Sequence, residues 1–272
     1  MQIQSKIVGV LNLSPDSFSD GKKYTPKELR ERITYLSNSG ADIIDVGAES
    51  TAPGSSPVSL KEEYQRLEIF FEVIGDFPHI FFSLDTMKAE VAKIGIKKGV
   101  KMINDVSGGR FDEKMFPLIA QNENISYVLM YAKKSSGRAD LLPNISQEDI
   151  LKVIEGYFIK RIGEAQKQGI KKEQIILDPG MGAFISPDYK DSLKVLQNIS
   201  MIKNNFSLPL FIGTSRKGFL SKLTSDTGAS DRLGSSLASS IFATLHGADF
   251  IRVHDIRETK QFIETWNGLQ NL

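Results

Sequence analysis

The sequence predicts an α/β chain folded as one (β/α)8 TIM barrel, a single domain over residues 1–272, and three observations carry that prediction. Short apolar runs recur eight times from one end of the chain to the other. Each run holds Ile, Val, Leu or Phe at both odd and even positions, the pattern of parallel strands covered on both faces. Amphipathic stretches of helical period fill the intervals between them.

The first run is IVGVLNL (7–13), and after a turn-rich segment comes TPKELRERITYLSNSG (25–40), with Pro just inside its start and Gly at its end. DIIDVG (42–47) precedes a helical stretch over 61–75, IFFSLD (80–85) one over 87–99, and KMINDV (101–106) one over 112–122. YVLMY (127–131) leads to 147–168, IILDPG (175–180) to 190–205, LFIGTS (210–215) to 230–246, and FIRVHD (250–255) to 256–269. The alternative, an open doubly wound sheet, usually carries a Gly-rich phosphate turn after its first strand, and none follows here. TAPGSSP (51–57) and KKSSGRADLLPN (133–144) read as long loops on the rim where strands end.

Composition removes several classes of function. There is no cysteine, which excludes thiol catalysis, a disulfide framework and a zinc-thiolate site. Lys+Arg is 34 against Asp+Glu 33, a net charge of +1, so no nucleic-acid partner is expected and any anion site must be local. No stretch approaches the ~20 apolar residues of a membrane helix. A soluble, cytoplasmic protein without a membrane partner is expected.

Polar residues interrupt the apolar runs mainly where the strands end. They are Asn12, Asp45, Asp85, Asn104 with Asp105, Asp178, the trio Ser215, Arg216 and Lys217, and Arg252 with His254. In a barrel these ends meet around one mouth. Any single Asp or Asn there reads equally well as a turn former or helix cap. Asp85, Asn104, Asp178 and Lys217 together would be costly to bury without partners, so a flat heterocycle with several donors and acceptors is the expected occupant. The period of two puts Arg252 and His254 on one face and Ile251 and Val253 on the other. With Asn12 they read as a phosphate or diphosphate seat, or else as rim ion pairs to Asp255 or Glu258. In the loop LNLSPDSFSDGKKY, Phe18 among serines reads as the tip of a mobile lid or as a staple onto the rim.

Seven stretches in order, VGVLNLSPDSFSDG, ADIIDVGAEST, SLDTMKAEVA, INDVSGG, IILDPGMG, TSRKGFL and GADFIRVHD, together resemble the dihydropteroate synthase family of pterin-binding barrels over almost the full length. The resemblance implies condensation of 6-hydroxymethyl-7,8-dihydropterin diphosphate with 4-aminobenzoate, with Mg²⁺ as cofactor and a homodimer as the assembly. It implies that Asp85, Asn104, Met130, Asp178 and Lys217 hold the pterin, with Asp85, Asp178 and Lys217 catalytic. Asn12 matches the Mg²⁺ ligand and, with Arg252 and His254, the diphosphate clamp. Asp16, Phe18 and Asp20 match a first mobile loop, Ser50, Thr51 and Pro53 a second, and Phe184, Ser215 and Gly218 the aminobenzoate side.

Departures from the family pattern cluster on the acceptor side. Ala52 stands where Arg is usual, Gly218 where Ser is usual, Tyr131 where His is usual, and Ala183 and Phe184 where Phe and Gly are usual. This implies a remodelled acceptor pocket with reduced sulfonamide sensitivity. A divergent pterin-binding paralogue with another acceptor, and a non-catalytic pterin binder, are the rival readings. A folate-dependent methyltransferase is disfavoured by the SPDSFSDG loop and the RVH segment, since a methyl donor leaves no diphosphate to hold.

Overall fold

The computed structural model describes residues 2–14, 24–51, 54–137, 139, 149–224 and 228–270. Eight parallel strands, β1 (Lys6–Asn12), β2 (Ile43–Gly47), β3 (Phe81–Asp85), β4 (Met102–Asp105), β5 (Ser126–Met130), β6 (Ile175–Asp178), β7 (Phe211–Ile212) and β8 (Phe250–Val253), form one sheet. Their order is β6-β5-β4-β3-β2-β1-β8-β7, and a single parallel bridge between Leu177 and Leu210 joins the ends into a nearly closed TIM barrel.

The helices follow their strands: α1 (Pro26–Asn38), α2 (Leu60–Val73), α3 (Ala89–Lys98), α4 (Met115–Ala120), α5 (Ile150–Lys167), α6 (Tyr189–Gln197), α7 (Ile199–Phe206), α8 (Leu233–Leu245) and α9 (Ile256–Leu269). Local sequence sets their ends. Thr25 and Glu28 form a reciprocal capping box at the start of α1, where Pro26 supplies the first turn, and Leu29, Ile33 and Leu36 make its buried stripe. Ser59 and Asp149 cap α2 and α5 by accepting from backbone N–H groups of the first turn. Gly99 closes α3 in the left-handed conformation at φ 110°.

Two expectations are corrected. The helix read over 190–205 is two helices, because Asn198 leaves helical geometry at φ −111° and ψ 16° while its side chain donates to the carbonyl of Lys194 at 2.8 Å. Strand seven, read over 210–215, has only two ladder residues, since Thr214 to Lys217 form a turn, Lys217 N–H donating to Thr214 O at 3.1 Å.

Alternation along each strand separates two cores. Ile44, Val46, Leu84, Ile103, Leu129, Leu177, Ile251 and Val253 point outward into the shell shared with the helices. Val8, Ile43, Met102, Val128, Ile176 and Phe211, with Phe250, fill the barrel interior. Each such side chain contributes about 1.5–3 kcal/mol by leaving water. One pleat further toward the strand ends the inward residues become Asp45, Ser83, Asp85, Asn104, Asp178 and Arg252. The apolar plug is therefore a floor on which a polar site stands.

Candidate active site

Arg252 dominates that floor. Its Nε donates to Asp45 Oδ2 at 2.7 Å and its Nη2 to Asp85 Oδ2 at 3.0 Å, so one guanidinium bridges β8, β2 and β3. Asn104 donates to the same Asp45 oxygen at 3.0 Å. Two carboxylates sharing one cation carry one negative charge more than it can balance. Burial therefore pushes Asp85 up to about 8, against the pull of Arg252 and with the push of Asp45.

Three buried polar atoms around this bridge, Asp45 Oδ1, Asn104 Oδ1 and Ser83 Oγ, have no hydrogen-bond partner. Buried acceptors are normally satisfied. Unpaired ones beside a mouth suit a ligand with N–H groups.

Across the mouth, Asp178 ends β6 and accepts from the Gly180 N–H at 2.8 Å. Burial raises it to about 6, partly offset by Lys217. Lys217, in the loop after β7, is lowered to about 8 by burial, against the pull of Asp178. Its ammonium lies 3.4 Å from the Met181 carbonyl and 4.9 Å from the centre of the Phe184 ring. Phe184 packs with Met87, Val106, Met130 and Ala132 in a small apolar cluster of its own. The mouth thus has a polar floor and an apolar wall, suited to a flat, hydrogen-bonding ring.

His254 follows Arg252 on the same face and is half-buried, with Nδ1 3.0 Å from Ser215 Oγ. Burial, then Arg252 and Arg216, lower it to about 4, so the ring is neutral at pH 7. The rim pairing considered for Arg252 and His254 goes elsewhere: Asp255 binds Arg216 through Nε at 3.2 Å and Nη2 at 2.5 Å. Asn12, at the exposed end of β1, lies beside Gly47 in the ladder.

On the acceptor side, Thr51 O accepts from Ala139 N–H at 3.0 Å, which joins the loops after β2 and β5. Gly218 is exposed and begins a five-residue 3₁₀ turn, Gly218–Lys222. Asp16, Phe18, Asp20, Ala52 and Pro53 lie outside the described residues.

Asp105 is a turn organiser, accepting from the Ser107 N–H and hydroxyl, the Gly109 N–H and the Tyr127 hydroxyl. The Lys88 cluster was not anticipated. Lys88 Nζ sits 2.5 Å from both Glu49 Oε2 and Glu63 Oε2, and Glu63 Oε1 accepts from Thr86 Oγ1 at 2.6 Å. Glu49 Oε1 also accepts from Val58 N–H at 3.2 Å, tying together the two ends of the loop that carries Thr51. The available signal was Glu63 on the inward stripe of α2 with Leu67 and Phe70. For Asp45 it was a carboxylate in the middle of an apolar strand.

A barrel with one mouth that offers a ring-sized polar floor beside a cationic seat defines a class of heterocycle-binding enzymes. The chain belongs to the pterin binding enzyme family, whose model matches residues 8–254. It is similar to the dihydropteroate synthase type-3 of Escherichia coli, 36% identical over 97% of this chain and 99% of that one. It is 35% identical to a mitochondrial folate synthesis bifunctional protein of Pisum sativum, of which it spans 53%. Among solved structures it resembles the Xanthomonas albilineans dihydropteroate synthase with 4-aminobenzoic acid, at TM-score 0.89 and 28% identity over 99% of this chain and 94% of that one.

Proposed function

We propose that this protein is a dihydropteroate synthase, a transferase of folate biosynthesis that joins 6-hydroxymethyl-7,8-dihydropterin diphosphate to 4-aminobenzoate and releases 7,8-dihydropteroate and diphosphate. The observation that carries this is the placement of Asp85, Asn104, Asp178 and Lys217 in one mouth with Arg252 anchored among them. In the reaction the bond between the pterin methylene carbon and the diphosphate oxygen breaks, and its electrons leave with the diphosphate. Asn104 and Asp178 hold the ring. The Asp178 carboxylate offsets positive charge that grows on the ring as the bond lengthens, while Arg252, His254 and Lys217 face the departing anion. The aminobenzoate nitrogen then attacks the methylene carbon and loses a proton to solvent.

Mg²⁺ fits this seat in a limited way. The described residues contain no group of three or more acidic or histidine side chains able to hold a metal unaided. Mg²⁺ usually keeps several waters and takes few protein ligands beside substrate phosphates, so the exposed Asn12 amide oxygen suffices as the protein ligand. When bound it would supply neutralisation of the diphosphate charge.

The acceptor wall formed by Phe184 beside Lys217, with Gly218 next in the chain, supports weaker binding of sulfonamides than of aminobenzoate. Sulfonamide inhibition as strong as in an ordinary family member at matched substrate would refute that part. The homodimer that the resemblance implies is testable by light scattering. No helix among the described residues is long and apolar enough to cross a membrane, in keeping with a cytoplasmic enzyme.

The decisive experiment measures diphosphate release from the pterin diphosphate with Mg²⁺, with and without 4-aminobenzoate, scored for dihydropteroate. Release that depends on aminobenzoate and yields dihydropteroate is expected. Pterin binding without dihydropteroate would instead favour a paralogue with another acceptor.

A further inference from the structure

Ser215 and His254 meet twice. The backbone N–H of His254 donates to Ser215 Oγ at 3.2 Å, and the ring Nδ1 of the same histidine lies 3.0 Å from that oxygen. Ser215 is buried, and among the described residues its hydroxyl has no other partner. A backbone N–H is always a donor, so it occupies one lone pair of Oγ. The serine hydrogen then has one acceptor in reach, Nδ1. Were Nδ1 protonated instead, Oγ would receive two N–H groups while its own hydrogen met nothing, and a buried donor left unmade is costly. The satisfied arrangement has Oγ–H donating to Nδ1, with the ring proton on Nε2.

We infer that Ser215 is a positioning residue that fixes His254 as its neutral Nε2–H tautomer, so that the ring offers diphosphate one hydrogen bond and no charge. The inference rests on the leaving-group seat described above. The groups that act on His254 are Arg252 on β8, two residues before it, Arg216 and Lys217 from the loop after β7, and Asp255. Three cations against one carboxylate disfavour a further positive charge on the ring, in the same direction as its burial. The charge at the seat therefore comes from Arg252 and Lys217, and His254 supplies direction. Sequence reasoning treated Arg252 and His254 as a like pair; the structure divides their roles.

The chain has three histidines, so the imidazole nitrogens can be followed individually. In ¹⁵N-histidine-labelled protein at pH 7, the couplings between ring nitrogens and ring C–H protons identify the protonated nitrogen, and His79→Gln and His246→Gln assign the other two signals by their loss. His254 is expected as the Nε2–H form without ligand. Ser215→Ala is expected to give a mixture of tautomers and to weaken binding of inorganic diphosphate about five- to tenfold, the effect of one ordinary hydrogen bond. Ser215→Thr, which keeps the hydroxyl, is expected to restore both readouts and guards against a folding defect in the alanine variant. An Nδ1–H or cationic His254 in the wild type, or an unchanged tautomer in Ser215→Ala, would overturn the inference. Neither readout needs turnover. A protein that binds diphosphate and shows the expected tautomer but forms no dihydropteroate would refute the proposed reaction and leave this assignment standing.

Discussion

Replacing Lys88 by Met removes the cation from a cluster that is nearly sealed from solvent. The side chains of Lys88, Glu49 and Glu63 are 9%, 8% and 1% exposed, so water cannot take over when the ammonium is lost. Breaking a buried pair in this way costs about 3–5 kcal/mol. Hydrogen bonds that survive, among them those from Thr86 to Glu63 at 2.6 Å and from the Val58 N–H to Glu49 at 3.2 Å, place the expectation at the lower end, about 3 kcal/mol. For a chain of this size that corresponds to a fall in Tm of roughly 6–12 °C. Burial lowers the Lys88 pKa, but Glu63 and Glu49 outweigh it and hold the pKa above the ordinary lysine value. The contribution of the pair is therefore fully present at neutral pH and is lost only as pH rises beyond the alkaline range of lysine. The assay is thermal unfolding by circular dichroism on wild type, Lys88→Met, and the triple variant Lys88→Met, Glu49→Gln, Glu63→Gln. The triple variant should recover most of the loss, because no charge is then buried alone. A Lys88→Met melting curve that overlays wild type, or a triple variant no better than the single one, would refute the reasoning.

The pH profile of kcat/KM should be bell-shaped, falling below about 6 as Asp178 takes up its proton and above about 8 as Lys217 and Asp85 lose theirs; Lys217→Arg should remove the Lys217 part of the alkaline limb. Asp178→Asn should lower kcat by about 10²–10³-fold and remove the acid limb, with pterin binding retained, as measured by steady-state kinetics and calorimetry. Gly108→Ala should destabilise by about 2–4 kcal/mol in urea unfolding. The site has φ +61°, and a Cβ there would lie 2.0 Å from the Tyr157 hydroxyl and 2.7 Å from the Met130 carbonyl, whose hydrogen bond fixes the end of β5. Gly218→Ser should leave stability unchanged, since nothing lies within 4 Å of an added Cβ, and should lower the KM for aminobenzoate about fivefold by adding a hydroxyl donor.

Much of the fold was legible because buried parallel strands carry a simple signal. IILD and FIRV are apolar outward wherever a helix covers them, and an inward polar residue stands out against that background. Asp85, Asn104 and Asp178 were visible for that reason. What local sequence could not show was who meets whom across the barrel. Arg252 contacts Asp45 and Asp85, 207 and 167 residues away in the chain, and only strand order and register bring them together. Asp45 was accordingly grouped with the polar residues of the mouth but given no role there. The break at Asn198 was hidden because α6 and α7 each bury residues at helical spacing, so the amphipathic pattern runs through the interruption. The Lys88 cluster was missed because Glu49 in the loop after β2, Glu63 on α2 and Lys88 just before α3 lie far apart in the sequence and meet only when α2 is laid against the barrel.

Between β6 and β7 the ladder consists of the single bridge from Leu177 to Leu210, supported by the Leu177 N–H donating to the Pro209 carbonyl at 2.9 Å. Asp178 and Lys217 rise from opposite lips of that seam. A molecule gripped by both rivets the cylinder at its thinnest described joint, and occupancy and mechanical closure become one quantity. Amide exchange at Leu177 should slow when a pterin is bound. Seen this way, the cylinder resembles a clasped bracelet more than a welded ring, with the substrate as its pin.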